Sequence, residues 1–254
     1  MRQRIPLVSD QAPVQDDVWK SADLTRTFLE GVRGGIPYAV DQIEIMLRVV
    51  QGAGIPVSRF LDLGSGAGAL AAALLTRFPN ATGVLVDFSE PMLDAARGIF
   101  TEPPHHLIEA DFGESAWVPD VQSLSPFDVV VSGYAIHHQP DNRKRQVYQE
   151  IFELLTPGGV FVNVEHVKPA SPWISTLNDE LFVDSLHAHH QRIGSGKTRE
   201  QVASEYVHRP DKRANILAPF GAQCGCLRDI GFHDVDCYFK VFELAVFGGR
   251  KPML

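Results

Sequence analysis

The chain has 254 residues and carries 31 acidic against 23 basic side chains, a formal net charge of −8. With 44% hydrophobic and 21% charged residues it has the composition of a globular protein, not of a collagen-like, disordered or disulfide-rich one. The negative charge argues against nucleic acid as a partner, because phosphate binding needs clustered lysine and arginine side chains.

The sequence also contains no segment long enough to cross a bilayer as a helix. Its longest apolar stretch covers residues 67–75, whereas a membrane-spanning helix needs roughly 18 to 20 apolar residues. The first ten residues carry two arginines but no following apolar segment, so we expect no signal peptide. Three cysteines, an odd number, indicate reduced thiols and a cytoplasmic location.

Short apolar runs alternate with amphipathic segments, the pattern of a parallel sheet with crossover helices. The predicted strands are residues 59–63, 83–87, 106–110, 128–132, 158–164, 235–241 and 244–247. The predicted helices are residues 68–78, 91–99 and 142–155.

Two regions depart from this alternation. Residues 1–55 look largely helical, and residues 168–215 form a polar, histidine-rich interruption. An insertion of that length in a compact domain is usually functional. We therefore predict one domain in four segments. They are an N-terminal helical cap over 1–55, a core over 56–167, a helical lid insertion over 168–215, and a completion of the core sheet over 216–254.

A glycine-rich loop follows the first predicted strand. Gly64, Gly66 and Gly68 permit a tight turn and let a ligand approach the backbone. Read loosely, the loop matches the dinucleotide fingerprint, which keeps a nicotinamide-dependent reductase as an alternative. Asp62, just before the loop, would repel a pyrophosphate but favour a cationic ligand. S-adenosylmethionine (SAM) is such a ligand, since it carries an ammonium and a sulfonium group and no phosphate.

Two further carboxylates follow the second and third predicted strands. Asp87 is placed to accept hydrogen bonds from ribose hydroxyls, Phe88 to cover an adenine face, and Asp111 to contact the adenine amino group. Each acid alone is equally explained as a helix cap or turn residue. Three neighbouring strands that each deliver an acid to one sheet edge indicate instead a ligand site at that edge.

Five consecutive segments together resemble motifs I to V of the class I SAM-dependent methyltransferases. They are FLDLGSGAGAL, VLVDFSEPML, EADF, FDVVVSGYAIHH and LLTPGGVFVNVEH, and they cover about residues 56–167. The resemblance implies a Rossmann-like α/β fold: a seven-stranded sheet with helices on both faces and an antiparallel last strand. To this sheet the chain is expected to add its N-terminal helices and a helical insertion before strand six. It also implies SAM as the cofactor and S-adenosylhomocysteine as the product.

Carried over by position, the resemblance assigns a cofactor site. Asp62 and the glycine loop frame the methionine part of SAM, and Ser132 and Gly133 line its methyl end. The predicted cofactor-binding residues are Asp62, Gly64, Ser65, Gly66, Gly68, Asp87, Phe88, Met92, Asp111, Phe112, Ser132 and Gly133.

A narrower resemblance involves the segments around residues 33–38 and 212–242. They resemble the carboxy-SAM synthase of tRNA wobble-uridine modification and its methyltransferase relatives, in which an arginine at the place of Arg213 holds the extra carboxylate of the cofactor. This chain departs from the synthase in its glycine loop and in the YAIHH that follows the fourth strand. We therefore prefer an ordinary methyl donor and keep the synthase, and a non-catalytic SAM-binding regulator, as alternatives.

Methyl transfer from a sulfonium is an in-line displacement, in which the protein positions the nucleophile and takes its proton when it has one. His137 is the first candidate base and His166 the second, because the pKa of histidine lies near neutrality. Tyr134, His138 and Glu165 are further candidates, and packing around the pocket is the alternative role for all of them.

The acceptor is expected to be a small molecule, methylated on O, N, S or C, because a closed and partly apolar pocket suits such a ligand. The predicted acceptor contacts are Arg33, Tyr38, Trp173 and Arg213. The sequence leaves a homodimer open.

A histidine-rich run in the insertion raises the question of a metal. Asp184, His187 and His190 would share one face of a helix. Since no second ligand cluster accompanies them, we prefer a polar lid helix and expect no metal. Cys224 and Cys226, two residues apart, would point to different helix faces.

Overall fold

The computed structural model describes residues 33–101, 105–209 and 211–253. Within them, seven strands form a single sheet in the order β3-β2-β1-β4-β5-β7-β6. The strands are β1 (Arg59–Leu63), β2 (Thr82–Asp87), β3 (His106–Glu109), β4 (Phe127–Gly133), β5 (Leu155–His166), β6 (His233–Val241) and β7 (Leu244–Arg250).

Eight α-helices connect or flank these strands in the described part of the chain. They are α1 (Ala39–Gly52), α2 (Ala69–Arg77), α3 (Glu90–Arg97), α4 (Val118–Gln122), α5 (Asp141–Leu154), α6 (Pro172–Arg192), α7 (Arg199–Val207) and α8 (Phe220–Ile230). Short 3-10 turns lie at Arg33–Gly35, Ser115–Trp117, Ile136–His138 and Asp211–Ala214.

The strand directions confirm the predicted fold class. Strands β1 to β5 pair in parallel, whereas β7 runs antiparallel to both β5 and β6. Each predicted strand is present within a few residues of its predicted bounds, and two helices, α6 and α7, occupy the insertion that precedes β6.

The largest difference in bounds concerns β5. The sequence predicts that Pro157 and the two following glycines separate a helix ending at residue 155 from a strand beginning at 158. Instead α5 ends at Leu154, and Leu155 already pairs with Phe127 of β4. The register between β4 and β5 then shifts before Val160 pairs with Val129. The Pro-Gly-Gly segment is therefore an irregularity inside β5.

Alternation along the strands divides the hydrophobic core between the two faces of the sheet. Leu61 of β1 belongs to one cluster, which includes Ile151 of α5. Phe60, its neighbour, belongs to the other cluster, which includes Met46 of α1. Buried strands of a parallel sheet show this two-sided pattern because helices cover both faces, and each fully buried aliphatic side chain contributes about 1.5–3 kcal/mol.

The chain divides into two compact units. One contains the described residues up to Ala39 together with Pro169–Asn215, and the other contains Val40–Lys168 and the residues from Ile216 onwards. The second unit holds the whole sheet and nearly all of α1. Of the cap that the sequence predicts over residues 1–55, residues 1–32 lie outside the described residues, and residues 40–55 belong to the sheet unit.

The smaller unit is built from α6, α7 and two 3-10 turns. Ser171 caps α6 by accepting a hydrogen bond from the backbone N–H of Ile174, and Thr198 forms a capping box with Gln201 at the start of α7. None of the helices that the structure describes is long and apolar enough to span a membrane.

Gly248 provides a test of the β5–β7 packing. A Cβ atom at this position would overlap the backbone carbonyl oxygen of Phe161 in β5. Gly248→Ala should therefore lower the free energy of unfolding by roughly 1–3 kcal/mol, measured by urea denaturation. Gly225→Ala is the matched control, because no heavy atom lies within 4 Å of a Cβ there and alanine stabilises a helix interior by about 0.5–1 kcal/mol over glycine. Equal stability of the two variants would contradict this packing.

Candidate cofactor and active site

The glycine loop between β1 and α2 follows a left-handed backbone path. The φ angles are +69° at Gly64, +53° at Gly66 and +78° at Gly68, a region that favours glycine. A Cβ atom on Gly64 would overlap that of Ala135, whereas one on Gly66 would meet only the Met92 Sδ, at 3.8 Å. The loop is thus closely packed at its first glycine and less crowded at its second, where a Cβ atom would make only an ordinary contact.

Asp62 and Ser65 place polar atoms in and beside this loop. Asp62 is 1% exposed, and its Oδ2 accepts a hydrogen bond from the backbone N–H of Ala71 at 2.9 Å. The Ser65 Oγ is buried and has no hydrogen-bond partner among the described residues. Because a buried hydroxyl without a partner costs about 1–3 kcal/mol, a ligand with a polar group at the loop would be stabilised by it.

Asp87, at the end of β2, closes the loop from the neighbouring strand. Its Oδ2 accepts the N–H of Gly66 at 2.7 Å, and its Oδ1 accepts the N–H of Ser89 at 2.9 Å. Burial raises the pKa of Asp87, although the backbone hydrogen bonds oppose this effect. A ligand hydroxyl that donates to this carboxylate would favour its ionised form.

Asp111 lies at the same edge of the sheet. Residue 109 pairs with Asp87 across β3 and β2, which brings Asp111 close enough that its charge also raises the pKa of Asp87. The Asp111 side chain is exposed, and its Oδ1 accepts the N–H of Gly113 at 2.7 Å. Its position leaves it accessible to a ligand.

Three predicted apolar contacts surround these acids. Phe112 is 4% exposed, and its Cε1 would lie 3.3 Å from a Cβ atom on Gly64. Met92 is also 4% exposed and faces Gly66, whereas Phe88 is half-buried. The structure therefore brings the acids, the glycine loop and these side chains to neighbouring positions.

Ser132 and Gly133 end β4, next to β1. The Ser132 side chain is fully buried, and its hydroxyl donates to the backbone carbonyl of Leu63 at 2.7 Å. This hydroxyl joins β4 to β1, whereas Gly133, the next residue, is partly exposed at the end of the strand.

The chemistry of this edge fits SAM. The buried acceptors Asp62 and Asp87 suit a ligand with donor hydroxyls and positive charge. Gly66 is less crowded than Gly64, so a ligand can approach the loop there, and the buried Ser65 hydroxyl has no protein partner among the described residues.

A buried acid–base pair lies at the carboxyl ends of β4 and β5. His137, in a 3-10 turn, is 5% exposed, and its Nδ1 is 2.5 Å from the Oε1 of the fully buried Glu165. The same carboxylate accepts the N–H of His166 at 2.7 Å, and the Asn163 amide lies 3.5 Å from its Oε2. A carboxylate at Nδ1 favours the tautomer with its proton there, which leaves Nε2 as the basic atom.

Two further predicted bases, His166 and Tyr134, lie beside this pair, and the centroid of the His138 ring lies 4.0 Å from that of His137. The His166 ring packs edge-on against Tyr134, with centroids 5.6 Å apart, and is 5.7 Å from that of His137. The Tyr134 hydroxyl donates to the Gln42 Oε1 at 2.7 Å, and burial raises the pKa of Tyr134 above its usual range. Tyr134 therefore stays protonated at neutral pH and is less suited than His137 to accept a proton.

Gln42 was not predicted as part of the site. It is 1% exposed and lies on the buried stripe of α1 with Met46 and Val50. A glutamine at a core position of an amphipathic helix signals a buried partner, but the partner itself, Tyr134, is 92 residues away.

The predicted acceptor contacts are only partly described. Tyr38 is 44% exposed, with φ +56°, and Trp173 is 69% exposed near the start of α6. The side chains of Arg33 and Arg213 lie outside the described residues.

The histidine-rich run lies on α6. Asp184 accepts a hydrogen bond from the Arg199 Nε at 2.6 Å, and in the described residues no group of three or more His, Cys, Asp or Glu side chains could hold a metal. Cys224 and Cys226, on α8, are free, and burial raises the pKa of the Cys224 thiol to about 11.

Comparison with known proteins identifies the family. A profile described as "Methyltransferase domain" matches residues 60–159. A carboxy-S-adenosyl-L-methionine synthase of Aeromonas salmonicida is 31% identical over 196 residues, which cover 74% of this chain and 72% of that protein. The chain belongs to the class I SAM-dependent methyltransferases. This methyltransferase is therefore an enzyme that uses SAM as its cofactor.

Further relatives support the same assignment. The corresponding synthase of Aeromonas hydrophila is 29% identical over 195 residues, 74% of this chain and 72% of that protein. Human N-acetylserotonin methyltransferase, solved in complex with SAM, superposes with a TM-score of 0.59 at 17% identity and covers 93% of this chain. The methyltransferase spans 58% of that human chain, and at this identity the likeness concerns the fold.

Asp87→Asn tests the acid at the end of β2. The variant keeps the shape of the side chain but loses its charge, and each lost charge-assisted hydrogen bond should weaken S-adenosylhomocysteine binding by roughly 1.5–3 kcal/mol, measured by calorimetry. Asp94→Asn is the control, because this carboxylate lies on the exposed face of α3 beside Arg97. Unchanged affinity in Asp87→Asn would show that the carboxylate does not contact the cofactor.

The pH dependence of binding provides a second readout. Since burial raises the pKa of Asp87, acidification protonates this carboxylate at a higher pH than an exposed aspartate and removes a hydrogen-bond acceptor. The affinity for S-adenosylhomocysteine should therefore fall as the pH is lowered, and it should fall less steeply in Asp87→Asn. Parallel pH profiles of the two proteins would contradict the assignment.

Proposed function

We propose that this methyltransferase transfers the methyl group of SAM to a small-molecule acceptor whose nucleophile carries a proton, such as a hydroxyl or an amine. The observation that carries the proposal is the buried His137–Glu165 pair, with Nδ1 2.5 Å from Oε1, at the carboxyl ends of β4 and β5, the two strands that follow β1 on one side of the sheet. A nucleophile without a proton, such as a thioether sulfur, would need no such pair.

When bound, SAM would supply an activated methyl group, and its sulfur would keep the electron pair of the carbon–sulfur bond that breaks as the acceptor bonds to the methyl carbon. The residues of the chain have to bind both molecules, orient the acceptor and remove its proton. The acceptor proton passes to the Nε2 of His137. Glu165, held at Nδ1, stabilises the imidazolium that results. A positioned base of this kind contributes about 10²–10⁴-fold to the rate.

The cofactor assignment supports the same reaction. We assign Asp62 and the glycine loop to the methionine part of SAM, Asp87 to the ribose, Asp111 to the adenine, and Gly133 to the methyl end. This order follows the sheet from β4 through β1 and β2 to β3. It brings the methyl end to β4, the strand that leads into the turn with His137.

The remaining assignments are extensions of this proposal. Arg33, Tyr38, Trp173 and Arg213 stay predicted acceptor contacts, and His166 stays the second candidate base. A cytoplasmic location, a homodimer and the absence of a nucleic-acid partner stay predictions from the sequence.

A carboxy-SAM synthase activity is the second candidate. It is favoured by the two Aeromonas synthases, of which the chain covers 72%. The nucleoside that co-purifies with the protein separates the candidates by mass spectrometry. An extra carboxylate on the SAM-derived ligand would establish the synthase reading, whereas SAM or S-adenosylhomocysteine would support the methyl transfer proposed above.

His137→Ala tests the proposed base. With an acceptor found by screening metabolites for S-adenosylhomocysteine release, the variant should lose about 100-fold or more in kcat and keep its S-adenosylhomocysteine affinity. Glu165→Gln should also lower kcat and shift the pH–rate profile. His106→Ala, at an exposed histidine of β3, is the control. If His137→Ala retained full activity, the side chain would serve packing alone.

A further inference from the structure

A buried ion pair on α5 takes no part in the proposed proton transfer. Arg143 and Glu150 lie seven residues apart, on one face of the helix, and their side chains are 7% and 13% exposed. Two nearly parallel hydrogen bonds join them: Nη1 donates to Oε1 at 2.8 Å, and Nη2 donates to Oε2 at 2.7 Å. This bidentate geometry fixes both side chains in position and orientation.

The pair also holds the segment that follows β3, residues 111–117, which we call the β3 loop. The Arg143 Nε donates to the backbone carbonyl of Phe112 at 2.8 Å. The Glu150 carboxylate accepts from the Ser115 hydroxyl at 2.7 Å and from the indole N–H of Trp117 at 2.8 Å. The ion pair is therefore bonded to the β3 loop at three successive points.

The charge on Glu150 is maintained by these contacts. Burial raises the pKa of Glu150, but the hydrogen bonds from Arg143, Ser115 and Trp117 outweigh burial and hold the pKa below its ordinary value. Glu150 is thus ionised at neutral pH, which preserves its ion pair with Arg143.

The other side of the β3 loop borders the cofactor site. The Phe112 ring packs against Gly64 of the glycine loop: its Cε1 would lie 3.3 Å from a Cβ atom added to Gly64. Asp111 is close enough to raise the pKa of Asp87. A shift of the Phe112 carbonyl would therefore move Phe112, which packs against the glycine loop, and Asp111, whose charge acts on Asp87.

Burying an ion pair costs desolvation free energy, and apolar side chains of similar volume often stabilise a protein as well or better. An apolar pair, however, cannot form directional hydrogen bonds to a carbonyl, a hydroxyl and an indole N–H. We propose that Arg143 and Glu150 are positioning residues that set the β3 loop for the adenine end of SAM. This inference rests on the proposed assignment of Asp111 to the adenine and of Phe112 to the cofactor site.

The test replaces the pair with apolar residues, Arg143→Met together with Glu150→Leu, so that no unpaired charge remains buried. Calorimetry then measures binding of S-adenosylhomocysteine and of 5′-methylthioadenosine, which has the adenosine part but lacks the amino-acid part. Affinity for both ligands should fall about tenfold or more, while kcat at saturating SAM stays near that of the wild type.

Three variants serve as controls. Arg145→Met removes a neighbouring but exposed arginine of α5, whose partner Asp229 is 3.8 Å away, and should leave both affinities unchanged. Gly248→Ala, which is expected to lower the free energy of unfolding through a contact far from the β3 loop, should also leave both affinities unchanged. Trp117→Phe removes one bond to Glu150 and should give a smaller loss than the double variant.

The outcomes separate this inference from the cofactor assignment on which it rests. Equal loss of both ligands in the folded double variant supports it. Wild-type affinity in that variant, or loss of S-adenosylhomocysteine binding alone, overturns it. Asp111→Asn is measured alongside: if it weakens binding while the double variant does not, the adenine assignment stands and the positioning role fails. If neither Asp111→Asn nor the double variant changes binding, the adenine assignment and the positioning role are both wrong.

Discussion

Parallel strand register is the constraint on which the whole site depends. Pairing of β1 with β2 and β4 sets Leu63 beside Val86 and Ser132, so that the three strands end together. The glycine loop can then bond to the end of β2, where the N–H groups of Gly64 and Ser65 donate to the Val86 carbonyl at 2.8 and 3.0 Å. A shift of one residue in this register would turn the side chains of a strand to the opposite face of the sheet.

Buried charges are the second common feature of the site, and each described one is bonded to a fixed donor. Asp87 accepts backbone N–H groups, Glu165 is paired with His137, and Glu150 with Arg143. In a low-dielectric interior such bonds are strong, and loss of one partner is costly. The carboxylates are therefore held in place before any ligand binds, which lowers the entropy lost on binding.

The fold alone does not decide the acceptor. Solved methyltransferases with the same architecture share under 20% identity with this chain, and one fold can carry many chemistries. The proposal of transfer to an acceptor that carries a proton is argued instead from a pair of side chains, His137 and Glu165, at the ends of neighbouring strands. The acceptor proposal accordingly depends on those two residues and not on the sheet.

The sequence by itself determined the strands and the loop with its acids, because periodicity, glycine spacing and strand-end carboxylates are local signals. The antiparallel last strand followed from the resemblance of five segments to the methyltransferase motifs. The sequence did not determine which candidate bases are paired. The contacts His137–Glu165, Tyr134–Gln42 and Arg143–Phe112 join residues 28, 92 and 31 positions apart. Only the tertiary structure decides such pairs, since strand register and helix packing, which no local pattern encodes, set the distances between them.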